Sequence, residues 1–122
     1  MDIRIKTTDY ELTSETRSYL DDRIASLEKF LGENANVARC EVELGRAAGG
    51  QRHGANMWFA EIRILSPGSA AVYARNNASS VNAAIDDVKE EIERQLRREK
   101  KLHIRVMRKT GSAIKNWMRF GQ

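Results

Sequence analysis

The sequence predicts an α+β domain in the order β-α-β-β-β-α, a four-stranded mixed sheet with two helices packed on one face. Three observations predict it. Four short stretches alternate apolar with polar residues, the mark of half-buried strands. Two longer stretches repeat apolar residues every three or four positions, the mark of one-sided helices. A helical stretch separates the first two strands, whereas only turn-like segments separate the second, third and fourth. The first pair should therefore be parallel with a right-handed crossover and the later pairs antiparallel. Two helices on one side of the sheet bury every apolar face.

Residues 2–8 open the chain with Ile3 and Ile5 on one side and Arg4 and Lys6 on the other. Leu12 and Thr13 read as a hydrophobic residue and an N-cap before a helix from Ser14 to Leu31. Leu20, Ile24, Leu27 and Leu31 form its stripe, Phe30 lies at the edge of the stripe, and Gly32 closes it. After a polar turn at 33–36, residues 37–44 alternate: Ala38, Cys40, Val42 and Leu44 face in, and Arg39, Glu41 and Glu43 face out. Residues 45–55 (GRAAGGQRHGA) contain four glycines and no apolar period, so they read as a hairpin loop. They lack the Gly-Lys-Ser/Thr ending of a phosphate-cradling loop. Met57 to Leu65 is the third strand, with Trp58, Ala60, Ile62 and Ile64 on the covered side. Pro67-Gly68 supplies a turn, and Ala71 to Asn76 is the fourth strand, with Val72 and Ala74 inward. The other sheet face is expected to meet water, carrying Arg4, Lys6, Arg39, Phe59, Arg63, Tyr73 and Arg75 among three glutamates.

The second helix, from Ser79 to about Leu102, is the element the rest is built around. Val81, Ala84, Ile85, Val88, Ile92 and Leu96 make its apolar stripe, and Ser80 is its expected N-cap. Asp86, Asp87, Glu90 and Glu93 come early on its outer face; Arg94, Arg97, Arg98, Lys100 and Lys101 come late. That order complements the helix dipole. Past Leu96 the apolar stripe stops while the positive charge goes on, so the last turns should project as a basic rod. Residues 1–102 thus read as one domain and 103–122 as a basic C-terminal tail. From Lys101 onward six Lys or Arg alternate with apolar and aromatic residues, and no acid appears. A strand-like HIRV at 103–106, a break at Thr110-Gly111-Ser112 and a last helical turn at 113–119 are expected within it.

A chain of 122 residues suits a single core. No apolar run approaches the roughly 20 residues of a membrane span, and the start MDIRIKTT lacks the apolar stretch of a signal peptide. A cytoplasmic protein that does not engage membranes is expected. The lone Cys40 should be a small buried residue. The net charge of +4 is unevenly spread. Residues 1–88 hold 10 Lys or Arg against 13 Asp or Glu, and residues 89–122 hold 11 against 4, which makes the first part −3 and the second +7. Such asymmetry points to a polyanionic partner. Cations interleaved with aromatics can neutralise phosphates and stack on exposed bases, which nominates Lys101, Arg105, Arg108, Lys109, Lys115, Trp117 and Arg119 as RNA contacts. The competing use of this tail is self-association through Trp117 and Phe120.

Catalytic chemistry finds no support. His53 and His103 have no second histidine at metal-binding spacing, and Asp86 and Asp87 read as solvated charges on different sides of their helix. The expectation is a protein without enzymatic activity, metal or cofactor.

LTSETRSYLDDRIASLEKFLG, the segment Cys40 to Arg46, the Pro67-Gly68 turn and NAAIDDVKEEIERQL at 82–96 together resemble the ribosome hibernation promoting factor and ribosome-associated inhibitor (protein Y, light-repressed protein) family, in its short form. The resemblance covers roughly residues 1–101. It implies a stress-response protein that binds the small ribosomal subunit between head and body, overlaps the messenger and transfer RNA sites, and silences idle ribosomes. It carries the gripping of ribosomal RNA onto Lys29, Arg94, Arg98 and Lys100, with Arg23 and Arg97 beside them; DNA is not an implied partner. Glu91, where relatives often have lysine, and Asp22 and Ser26, where they often have bases, leave this surface less positive than the resemblance alone implies. Asn82 stands where an aromatic is frequent. A general structured-RNA-binding module is the alternative.

Overall fold

Strand β1 (Asp2–Thr8) lies parallel to β2 (Arg39–Arg46), which pairs antiparallel with β3 (Trp58–Leu65), which pairs antiparallel with β4 (Val72–Ala78). The sheet order is β1-β2-β3-β4, and helices α1 (Ser14–Glu28) and α2 (Val81–Gly121) cover one face. The computed structural model describes residues 1–47 and 57–121, with side chains described as far as Lys101 outside that gap. The predicted class, element order and strand directions all hold.

Period-two alternation sets the sheet's two faces. Ile3, Cys40, Ile64 and Val72 share one inward row, and Ile5, Val42, Ile62 and Ala74 share the next. Against them pack Leu20, Ile24 and Leu27 from α1 and Ile85, Val88 and Ile92 from α2, all fully buried. At roughly 1.5–3 kcal/mol for each large apolar side chain withdrawn from water, this layer supplies most of the driving force for folding. Cys40 lies inside it; burial, then the nearby charges of Glu28 and Glu41, push its thiol up to about 12, so it carries no thiolate at neutral pH.

Local chemistry sets most boundaries. Thr13 caps α1 by accepting from the Thr16 N–H at 3.1 Å, and Ser80 caps α2 by accepting from the Ala83 N–H at 3.0 Å. Helix α1 ends at Glu28, one turn before the predicted Leu31. Phe30 and Leu31 donate to Leu27 and Glu28 in tighter three-residue bonds, and Gly32 at φ +56° turns the chain away. The predicted polar turn at 33–36 is a short 3-10 helix, Gly32–Asn36. Strand β2 starts at Arg39 rather than 37, and β4 runs two residues beyond the predicted Asn76.

Three expectations are corrected. Gly45 and Arg46 belong to β2 and not to the loop, because Gly45 pairs with Phe59 and lies against Thr8; loop residues 48–56, His53 included, lie outside the described residues. Phe59 points to the helix-free face as its parity requires, yet it is only 2% exposed, with the Arg75 guanidinium 4.1 Å from its ring centroid. The strand-like HIRV and the break at 110–112 are replaced by continuous helix to Gly121. At about 1.5 Å per residue the 41 residues of α2 extend about 60 Å, far past Leu96, the last core residue among the described ones.

At the sheet's outer edge, the Gln95 side chain of α2 bonds both main-chain groups of Tyr73. Its oxygen accepts from the Tyr73 N–H at 3.0 Å, and its amide donates to the Tyr73 carbonyl at 2.7 Å.

Candidate RNA-binding surface

The basic half of α2 presents its cations along two neighbouring stripes. Arg94 and Arg98, four residues apart, share the side of the helix turned away from the core, and Lys101 follows one turn later. Arg97 and Lys100 lie toward α1. There Arg97 sits 5.3 Å and Lys29 5.2 Å from the ring centroid of Phe30. Lys29, just past the end of α1, and Lys100 line one groove, with Phe30 between the two helices. The fold therefore brings Lys29, Arg97 and Lys100 together from distant parts of the sequence.

Acids temper this surface. Glu91, the residue that departs from the resembled pattern, accepts hydrogen bonds from Arg94 and Gln95. Glu93 lies 3.6 Å from Arg97. Such exposed pairs are worth under about 1 kcal/mol and yield readily to a phosphate. Among the described residues Lys29, Arg98, Lys100 and Lys101 of this surface make no ion pair, so they are its most available cations.

Arg23 stands apart from that group. Its guanidinium bonds Asp86 at 3.0 Å and Asp22 at 2.7 Å and lies 4.2 Å from the Tyr19 ring centroid, while the Tyr19 hydroxyl donates to Asp86 at 2.6 Å. Asp86, read from sequence as a solvated charge, is instead the acceptor that clamps α1 to α2. Asp87 is exposed, as read, and also accepts from the Asn76 amide at 2.9 Å, which ties α2 to β4. The hydrogen bond to Asp86, reinforced by burial, raises the Tyr19 pKa above its ordinary value. A folded-state pKa raised in this way means the stabilisation is fully present below the unfolded value near 10 and is lost as pH climbs through the folded one. Asp86→Ala is expected to lower Tm by roughly 3–6 °C and to return the Tyr19 titration toward its ordinary value, with Asp86→Asn losing less. Calorimetry and ultraviolet titration of the phenol check this; equal Tm values for wild type and the alanine variant would refute the clamp.

The remaining faces hold little net charge. Helix α1 carries Arg17 and Arg23 against Glu15, Asp21, Asp22 and Glu28, and Arg17 bonds Asp21 at 3.0 Å. The helix-free face of the sheet interleaves signs: across one row run Arg4, Glu41, Arg63 and Tyr73, and across the next Lys6, Glu43, Glu61 and Arg75. Positive potential is thus concentrated where α2 leaves the core. Arg105, Arg108, Lys109, Lys115, Trp117 and Arg119 stand on the helical extension; their side chains, like His103, lie outside the described ones.

Sequence reasoning missed the groove beside Lys29. Phe30 read as core edge, and Ser66 and Ser69, which also line the groove, were not singled out. A lysine next to an aromatic at the end of the first helix was the available signal. Among the described residues no group of His, Cys, Asp and Glu could hold a metal ion, and no helix is long and apolar enough to cross a membrane.

The model of the sigma 54 modulation protein / S30EA ribosomal protein family matches residues 3–103. Among solved structures, the N-terminal domain of Thermus thermophilus Protein Y is similar with a TM-score of 0.65 and 24% identity, covering 80% of this chain and 98% of that one. A ribosomal subunit interface protein from Coxiella burnetii gives a TM-score of 0.65 at 11% identity, covering 83% and 99%. At these identities both likenesses speak to the fold. No curated protein matches the sequence.

Proposed function

The chain belongs to the sigma 54 modulation protein / S30EA ribosomal protein family, a family of ribosome-associated proteins, and from that premise we propose that it is a hibernation factor of the small ribosomal subunit. It docks at the decoding region, occupies the space of messenger and transfer RNA, and keeps idle ribosomes silent under stress. The observation that carries this reading is the convergence of Lys29, Arg97 and Lys100 beside the outward row Arg94, Arg98 and Lys101, where α2 leaves the core that packs it as far as Leu96. Cations fixed on one surface displace counterions from folded RNA without first losing their own freedom, so affinity is gained and falls steeply with salt. Binding without catalysis is sufficient for this role, and no residue is assigned a catalytic part.

Cosedimentation with vacant small subunits, paired with translation in vitro, tests the reading. The protein should pellet with the subunits at moderate salt and halt initiation. Free passage through the gradient, or pelleting equally well with unrelated structured RNA, would refute it, the latter in favour of a general RNA-binding module.

The helical extension supports a second contact. Beyond Lys101 it carries five further cations and no acid, on a helix continuous with the docking surface. Truncation after Lys101 is expected to weaken subunit binding about tenfold or more and to reduce the salt slope by several charges. Fluorescence anisotropy over a potassium chloride series measures both; unchanged affinity would remove the extension from the interface, and a change of oligomeric state on truncation would assign it to self-association.

A further inference from the structure

The groove where α1 ends, beside the turn at 66–70 and under α2, has a volume of about 470 Å³, within the usual range for a bound small molecule. Its walls differ in kind. Ile64, Val72 and Leu96 give it an apolar side, and Phe30 stands at one end. Lys29 and Lys100 bring positive charge from two different elements, with Arg97 beside Phe30. Ser66, Ser69 and Asn34 add neutral hydrogen-bonding groups, and Glu99 is the acid among the lining residues. We propose that this groove receives one unstacked nucleotide of the bound RNA, the base lying against the apolar wall and its phosphate between Lys29 and Lys100. The proposal rests on the ribosome reading above and deepens it.

The physical case is one of matching. A base within an A-form stem shows no free face, so an apolar recess can accept only a nucleotide displaced from its stack. A strand passing over the recess must leave phosphates at its rim, where the two lysines are. Glu99 can accept a hydrogen bond from the amino or imino N–H that every RNA base carries, so it holds a base without choosing among the four. A second concavity, on the helix-free sheet face, sets Glu41, Glu43 and Glu61 against Arg4, Lys6 and Arg63. Its charges balance, so it has no comparable preference for a polyanion.

Ala70 is exposed on the turn and lines the groove, so Ala70→Trp fills the recess without disturbing the core. Ser69→Trp is a second filling variant on the same turn, and circular dichroism with thermal melting establishes that both fold. Affinity for vacant small subunits is measured over a potassium chloride series, together with dimethyl sulfate probing of the subunit RNA. Stacking of one base is worth roughly 5- to 100-fold in affinity, so the filled variants should bind that much more weakly with an unchanged salt slope. They should also lose the shielding of one base that the wild type produces. The double variant Lys29→Gln/Lys100→Gln should bind more weakly with a slope reduced by about two. Wild-type affinity and an unchanged footprint in both filled variants would overturn the groove proposal while leaving the ribosome reading intact. Failure of the wild type itself to bind would overturn both. Displacement of bound protein by millimolar GMP with no shielded base would overturn the RNA assignment in favour of a free nucleotide.

Discussion

Replacing Gly45 with alanine is expected to lower the stability of the domain by about 3 kcal/mol, more than a typical surface change by several-fold. An added Cβ would overlap the carbonyl oxygen of Thr8 and stand 3.0 Å from that residue's carbonyl carbon and Cβ. The obstacle is backbone, so no side-chain rotation relieves it. Thr8 is held there by its parallel pairing with Gly45, by the 2.6 Å bond from its hydroxyl to Glu43, and by Asp9, whose φ of +48° turns the chain out of β1. Relief therefore requires the end of β1 to lift from β2. Gly32 and Gly68 make the comparison sharp, because an added Cβ at either meets no atom within 4 Å and only their positive φ angles of 56° and 76° resist it. Their alanine variants should lose about 1–2 kcal/mol each. Urea unfolding followed by tryptophan fluorescence gives all three values. A loss at Gly45 no larger than at Gly32 would mean that β1 does not press on β2 as described.

Reversal of Arg94 and Arg98 together to glutamate should weaken binding to the small subunit about 100-fold at moderate salt and flatten its dependence on salt, with Tm unchanged within a few degrees. A factor of 100 corresponds to roughly 2.7 kcal/mol. Both guanidinium groups face solvent; Arg94 has 65% of its side chain exposed and, among the described residues, pairs with Glu91 alone. The control is Arg4→Glu/Arg39→Glu, an equal change of net charge on the helix-free sheet face, where the side chains are 60% and 42% exposed. That variant should keep most of the affinity. Equal losses in the two double variants would mean that net charge alone draws the protein to RNA and that α2 presents no particular surface to it.

The sequence made the architecture legible because a strand's burial repeats every two residues and a helix's about every 3.6, so Ile62 and Ile64 or Val88 and Ile92 declare their faces without knowledge of neighbours. What it left illegible depends on partners far along the chain. Asp86 looks like a solvated acid until Tyr19 and Arg23, more than 60 positions earlier, are folded against it. Gly45 looks like the start of a glycine-rich loop until Thr8 arrives beside it. Phe59 has the parity of an exposed residue, and only the fold brings Arg75 over its ring. The candidate surface divides the same way. Arg94, Arg98 and Lys100 could be read from the charge gradient along one helix, whereas the groove joining Lys29 to Lys100 exists only where three separate segments meet. The tail was misread because Gly111 and Ser112 suggested a break, a local propensity of about 1 kcal/mol that the continuous helix overrides.

The glutamine that reaches from the long helix to Tyr73 has a consequence for how this protein survives crowding. A border strand ordinarily invites a stranger's backbone to join it, and the invitation is a ladder of open amides and carbonyls. Gln95 answers two of those rungs with its own amide, imitating a neighbouring strand from within the same molecule. A visitor seeking that register on β4 would have to evict it first, which makes this stretch of the border a poorer template for a second molecule's backbone.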